Sequence, residues 1–323
     1  MRVLGRDFVR EHLTYPAAIA LVREGMIALS RQDSIQPLRS ILRMAAGRMF
    51  GVMPGALGDD SDFGAKLVSV FPGNAAKGLQ SHQGGILMFD PESGMPTALV
   101  HAGEVTAIRT AAASAAATDV LARADASRLA VIGYGEQAAS HIRAMAHVRP
   151  LSTVTVAGRS SARVEAFAAV MAEETGLDVN AAADIRTAVE NADIVCTVTA
   201  ACEPLVKGDW LAPGSHINIV GSSYAGPVEV DNALVAKTRF IADHRAGVIE
   251  QGAEFINAKA AGLVDDSHIA GEIGEVYLGR VEGRPDPDCI TAYKSLGHIV
   301  QDLACGRFLE ERARAAGVPA LDF

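Results

Sequence analysis

The chain reads RLAVI from residue 128, then Gly133-Tyr134-Gly135-Glu136-Gln137-Ala138, then a helical pattern through SHIRAMAHV. A short apolar strand running through G-x-G-x-x-A into a helix constrains this chain more than any other feature. Gly133 permits a tight turn, Gly135 lets the backbone approach a pyrophosphate, and Ala138 lets the helix pack against the strand. The phosphate would rest on the N–H groups of the helix start, where the dipole favours an anion. The fingerprint alone is weak, and its context strengthens it. STVTVAG (152–158), ADIVCTVT (192–199), SHINIVG (215–221) and TRFIAD (238–243) are further apolar strands, and SARVEAFAAVMAEETG is a helix. Strands alternating with helices of this length predict an α/β fold with a Rossmann-type doubly wound parallel sheet over residues 123–295.

The end of the second strand bears on the dinucleotide. An acid there would bond the ribose hydroxyls of NAD, whereas this chain has Gly158-Arg159-Ser160-Ser161. Arg159 and the hydroxyls attract a 2′-phosphate, so NADP(H) is preferred and NAD(H) remains possible.

Residues 14–31 form a helix with Pro16 in its first turn. GAKLVSVF (64–71) and GGILMFD (84–90) are strands, FPGNAAKG between them is a loop, and DPESG is a turn before strand TALVHAG. VTAIRTAAASAAATDVLAR is an alanine-rich helix, and the last segment, HIVQDLACGRFLEERARAAG, is a helix expected to return to the first domain. Residues 1–122 and 296–323 together therefore make an α+β domain built from both chain ends.

That domain carries Arg39, Lys66 and Arg109 amid apolar neighbours. A cation in such a setting needs a partner. Salt bridges to the protein's own acids and a clamp for the carboxylate of a small acid satisfy the pattern equally. His82 reads either as a structural histidine or as a general acid/base.

The net charge of −9 argues against a nucleic-acid partner, and no apolar run approaches the roughly 20 residues of a membrane span. The charged start MRVLGRDFVREHL does not read as a secretory signal. Cys196, Cys202, Cys289 and Cys305 show no metal-like spacing, which fits a reducing, cytoplasmic setting and no metal.

The segments QPLRS, GVMPG, AKLVSVFPGN, SHQGGILMFDPESG, TAIRTAAASA, VIGYGEQA, NIVGSS and YKSLG follow in order along most of the chain. Together they resemble the ornithine cyclodeaminase/mu-crystallin family, and QPLR, GVMPG, SHQ and KSLG resemble its ketimine reductases more than its cyclodeaminases. The resemblance implies a Rossmann domain beside a substrate-binding and dimerisation domain, hence a homodimer acting on a small imino or amino acid. It places Arg39, Lys66 and Arg109 on the substrate carboxylate, with Lys66 and Arg109 catalytic and Ser223 also in contact with the substrate. It puts the dinucleotide on Gly133, Gly135, Glu136, Gln137, Ala138, Arg159, Ser160 and Thr199. Its nicotinamide would lie near Val220, Gly221, Ser222 and the Ser295–Gly297 turn.

Where cyclodeaminases carry an acid in a VGADxPGK-like segment, this chain has Ser223 in Val220-Gly221-Ser222-Ser223-Tyr224-Ala225-Gly226-Pro227. A serine hydroxyl is a poor base without an activating partner. Reduction of a preformed cyclic 2-imino acid, giving proline or pipecolate, is therefore expected over cyclodeamination. An acyclic amino-acid dehydrogenase, a cyclodeaminase, a hydroxyproline dehydratase and a non-catalytic NADPH-binding protein are the alternatives.

Overall fold

The computed structural model describes residues 1–322. Two compact units emerge, one from Met1–Arg109 with the C-terminal segment that starts at His298, the other Thr110–Gly297.

The first unit holds strands β1 (Arg2–Leu4), β2 (Ser40–Arg43), β3 (Met49–Ala56), β4 (Phe63–Val70), β5 (His82–Phe89) and β6 (Pro96–His101). They form one sheet in the order β1-β6-β5-β4-β3-β2. β1 and β6 are parallel and the other neighbours antiparallel. Helices α1 (Arg6–His12) and α2 (Tyr15–Ser30) precede the antiparallel strands, α3 (Ala102–Leu121) follows them, and α11 (Ile299–Ala315) closes the chain.

The start of α2 is capped by the Thr14 side chain, which accepts from the Ala17 N–H, with Pro16 in the first turn. Helix α11 packs on α2 and on the sheet. It comes close at Gly306, where a Cβ would lie 2.8 Å from Met88 Sδ. Along β4 the buried positions are Gly64, Lys66 and Val68, the period of two that puts alternate side chains on one face. Lys66 therefore points into this unit, opposite Met53 on β3 and Ile86 on β5.

Strands β2 and β3 carry no clear pattern in the sequence, because Gly51, Pro54 and Gly55 interrupt the alternation that would announce them. The expected loop after β4 contains a 3₁₀ turn over Pro72–Lys77.

The second unit holds β7 (Arg128–Ile132), β8 (Thr153–Ala157), β9 (Val179–Ala181), β10 (Ile194–Thr197), β11 (His216–Ile219), β12 (Arg239–Ala242), β13 (Ile269–Glu272) and β14 (Thr291–Lys294). All pair in parallel, in the order β13-β12-β14-β11-β10-β7-β8-β9. Its helices are α4 (Glu136–Met145), α5 (Ser161–Thr175), α6 (Ile185–Glu190), α7 (Asn232–Lys237), α8 (Arg245–Gln251), α9 (Ala253–Ala260) and α10 (Ile273–Tyr277). Strand order reverses between β7 and β10, the switch point where open α/β sheets bind ligands. β14 enters between β11 and β12, a strand not expected from the sequence.

The division between the units lies at Arg109/Thr110 and Gly297/His298, not at 122/123 and 295/296. Two buried hydrogen bonds account for the earlier boundary. His141 Nε2 meets Ser114 Oγ at 3.0 Å, and Asn218 Nδ2 donates to Thr118 Oγ1 at 3.0 Å. Both tie the latter part of α3 to the parallel-sheet unit. Ala111, Ala112, Ala113, Ala115, Ala116 and Ala117 are all buried, as a helix apolar on every side requires.

Candidate active site

In the second unit, Gly133 follows β7 with φ at +128°, a conformation that disfavours any side chain. Its N–H donates to Ala157 O at 2.9 Å, and a Cβ there would lie 3.1 Å from Val198 O. The turn is thus tight on both sides. Gly135 is the N-cap of α4, makes no side-chain cap bond, and has open space where a Cβ would stand. The first turn of α4 therefore presents N–H groups to an incoming anion.

Glu136, in the first turn of α4, is exposed. Ala138 is fully buried, and Gln137 Oε1 is buried without a hydrogen-bond partner. Beyond β8, Arg159 is exposed and Ser160 is the N-cap of α5 without a side-chain bond.

The next strand ends meet on Glu229, a fully buried residue that sequence reading did not single out. Its Oε1 accepts from the Thr199 N–H at 2.5 Å and the Thr199 hydroxyl at 2.8 Å. Its Oε2 accepts from the Thr197 hydroxyl at 2.8 Å and the Gly221 N–H at 2.7 Å. Burial pushes the Glu229 carboxyl above its ordinary pKa, while these donors and Lys294 oppose the rise. The Thr199 and Gly221 amides are thus engaged by the protein itself. These residues can line a ligand, and their amide protons are not free to bind one.

The Ser295–Gly297 turn is held by Asp243, whose Oδ2 accepts from the Gly297 N–H at 2.8 Å. Lys294 lies buried, 2.7 Å from Glu254 Oε2, and donates to Ser222 O at 2.7 Å. Since β11 pairs with β14, Val220–Ser222 and Ser295–Gly297 emerge side by side from neighbouring strands. Ser222 Oγ and Ser295 Oγ are both buried without a hydrogen-bond partner. Orphaned buried hydroxyls carry a cost that a ligand can relieve. An uncapped helix for phosphates, an orphaned Gln137 oxygen and two orphaned serines fit a dinucleotide bearing a carboxamide. Ser223, next in line, is half-buried.

In the first unit, Lys66 and Arg109 converge on Asp302 of α11, again a residue the sequence did not single out. Lys66 Nζ lies 2.8 Å and Arg109 Nε 3.2 Å from the same oxygen, Oδ1. Arg109 Nη1 also donates to Gln301 Oε1 at 2.9 Å. All four side chains are buried. Lys66 and Arg109 thus have an acidic partner in the protein itself, and that one carboxylate is shared between the two cations.

Burial pushes Lys66 down to about 8, opposed by Asp302 and reinforced by Arg109 and Arg39. Arg39, half-buried, is thus close enough to act on the same ammonium. Burial works to raise the Asp302 carboxyl, but Arg109 and Lys66 outweigh it and hold it below its usual range. His82, bonded through Nδ1 to Ser81 Oγ at 2.9 Å, is lowered to about 4 by burial, then by Lys66 and Arg109. It is neutral at pH 7.

Among the described residues no cluster of His, Cys, Asp or Glu is suited to hold a metal. Among the same residues no helix is long and apolar enough to cross a membrane.

The model of the ornithine cyclodeaminase/mu-crystallin family matches residues 3–317. The chain belongs to that family. Ketimine reductase mu-crystallin of Mus musculus is 32% identical over 311 residues, 95% of each chain. The structure of Thermococcus litoralis Δ(1)-pyrroline-2-carboxylate reductase in complex with NADH and L-proline superposes with a TM-score of 0.96 at 32% identity, covering 100% of both chains. An archaeal alanine dehydrogenase dimer with bound NAD superposes at 0.93 with 26% identity, covering 100% of this chain and 99% of that one.

Within this family member, Asp302, Gln301, Glu229, Glu254, Lys294 and Asp243 were missed from sequence. A signal existed for some of them. Asp302 interrupts an apolar helix start, HIVQDLAC, and Lys294 ends the strand TAYK. The rule that drew attention to Lys66, a charge among apolar neighbours, applies to both.

Proposed function

We propose that this chain is an NAD(P)H-dependent reductase of a small cyclic 2-imino acid. The substrate is Δ1-pyrroline-2-carboxylate or Δ1-piperideine-2-carboxylate, and the product L-proline or L-pipecolate. The observation that carries this reading is the buried pair Lys66 and Arg109 sharing the single carboxylate of Asp302. Surplus positive charge inside a protein is costly, and an anionic substrate offsets it. The similarity to reductases of this class supports the same assignment.

Arg109 and Arg39 hold the substrate carboxylate, with Arg109 able to present two parallel N–H groups. Lys66, with a pKa near 8, donates a proton to the imine nitrogen. A reduced nicotinamide, when bound, supplies hydride to C2. Gly133, Gly135, Gln137 and Ala138 shape its pyrophosphate site, and Val220, Gly221, Ser222, Ser295 and Gly297 line its nicotinamide end, beside Thr199. Arg159 and Ser160 give NADP(H) the preference, with NAD(H) accepted. Orientation and exclusion of water supply most of the rate. Ser223 offers no carboxylate base, which favours reduction over cyclodeamination.

The first unit takes the substrate and the second the dinucleotide. A homodimer is supported by Leu42, Phe63 and Leu67, exposed apolar side chains on the first unit's sheet (62%, 37% and 39% accessible), and by the dimeric archaeal relative. Four free cysteines accord with a cytoplasmic location.

The test is NADPH and NADH oxidation over a panel of cyclic imino acids, α-keto acids with ammonia or amines, and ornithine. Turnover is expected with the cyclic imino acids. Turnover confined to pyruvate with ammonia, ammonia release from ornithine, or tight NADPH binding with no turnover overturns the reading.

A further inference from the structure

We infer that Asp302 is the positioning residue of the cation cluster: it holds Lys66 as an ammonium beside Arg109 and keeps its remaining protons free for the imine nitrogen. The inference deepens the reductase reading and rests on it for the identity of the proton acceptor.

The geometry carries the argument. Among the described residues, Asp302 is the one acceptor that the Lys66 ammonium reaches, at 2.8 Å. An ammonium has three donors, so two stay open. Arg109 is held at two of its nitrogens, Nε by Asp302 and Nη1 by Gln301, while Nη2 makes no hydrogen bond among the described residues. Consecutive residues of one helix thus take donors on two sides of the guanidinium and leave Nη2 open. Asp302 Oδ1 receives both cations, and Oδ2 is buried with no partner. Helix α11 is itself fixed one turn further on, where Gly306 lets it approach Met88. The carboxylate is therefore presented by a rigid element rather than by a loop.

The groups that set the charge of Lys66 come from every side. Arg109 on α3 and Arg39 ahead of β2 oppose its protonated form, as does burial, and Asp302 on α11 is the group that favours it. His82 at the start of β5 feels Lys66 and Arg109 and is neutral. Cys305, also on α11, is pushed up to about 12 by burial and so remains a thiol. Met53 and Ile86, which flank Lys66 on the sheet, are apolar. Without Asp302, nothing in this set keeps the ammonium protonated in the interior.

In the step itself, the imine nitrogen takes a proton from Lys66 Nζ while C2 takes a hydride from the reduced nicotinamide. The C=N π bond becomes one N–H and one C–H bond, the nicotinamide is oxidised, and the neutral Lys66 amine regains its proton from water.

The experiment is the pH dependence of kcat/KM for Asp302→Asn and Lys66→Arg, with NADPH and Δ1-pyrroline-2-carboxylate. It is paired with an NMR titration of the isotope-labelled lysines in the cofactor-free protein. In the natural chain, activity is expected to fall above about pH 8, where Lys66 loses its proton. In Asp302→Asn that alkaline limb moves about 1–3 pH units lower, the range for loss of an adjacent opposite charge. The Lys66 resonance moves with it, and NADPH affinity stays unchanged. In Lys66→Arg turnover is largely lost while NADPH binding is kept, because a guanidinium stays charged and does not give up its proton. A limb and a lysine titration unmoved in Asp302→Asn overturn the inference, as does a Lys66→Arg variant that turns over at the natural rate. If Asp302→Asn does not fold, Asp302→Ser, equally uncharged and smaller, is read by the same pH profile and lysine titration. If the natural chain turns over no cyclic imino acid, the reductase reading fails instead, and the NMR titration still decides whether Asp302 governs Lys66.

Discussion

Replacing Glu229 should show how much of the dinucleotide site depends on one buried carboxylate. Each of its oxygens accepts from a backbone N–H, Oε1 from Thr199 and Oε2 from Gly221. In Glu229→Gln, whichever way the amide turns, its NH₂ faces one of those N–H donors, so at least one backbone donor loses its acceptor. In Glu229→Ala both do. Leaving a buried donor unsatisfied costs about 1–3 kcal/mol. Glu229→Gln should then lose about 1–3 kcal/mol of stability and Glu229→Ala about 2–6 kcal/mol, before any cavity cost. Against a typical domain stability of about 5–15 kcal/mol, the alanine variant is severely weakened. Urea unfolding measures the first quantity and NADPH titration the second. The midpoints should fall in the order natural chain, glutamine, alanine, with NADPH affinity falling in the same order. A glutamine variant that unfolds with the natural chain and binds NADPH equally well would refute the claim that this carboxylate anchors the loops.

Three further outcomes are expected. Arg109→Ala should raise KM for the imino acid and lower kcat/KM by about 1.5–3 kcal/mol in barrier terms, the scale of a hydrogen bond to a charged group, as steady-state kinetics will show. Arg159→Ala should weaken NADPH binding about tenfold while leaving NADH nearly untouched, a ratio that titration with both cofactors measures. Stability should fall as the solution is acidified below pH 6.5. His82 and His141 sit at about 4 and His216 at about 3, all lowered first by burial, so the unfolded chain binds protons before the folded one does. Each such histidine contributes a slope of about 1.4 kcal/mol per pH unit between its two pKa values, and His141→Gln should flatten the curve measured by urea midpoints.

Much of the second unit was legible because its signals are local. The glycines of the β7–α4 turn, the apolar strands and the helices between them each depend on residues within a few positions of one another. The same holds for α2, with Thr14 and Pro16 at its start. Strands β2, β3 and β14 were not legible, since their pairing is decided by neighbours that supply the partner edge rather than by their own pattern.

By itself the sequence determined the class of fold and singled out the glycine turn after β7 and three cations among apolar neighbours, because backbone period, glycine freedom and charge among apolar residues are properties of short segments. Only the tertiary structure decided what those cations face. Lys66 and Asp302 are 236 residues apart, Thr197 and Glu229 are 32 apart, and Gly297 and Asp243 are 54 apart. Hydrogen bonds and ion pairs act over about 3 Å, and no spacing along a chain announces which distant carboxylate will arrive within that distance.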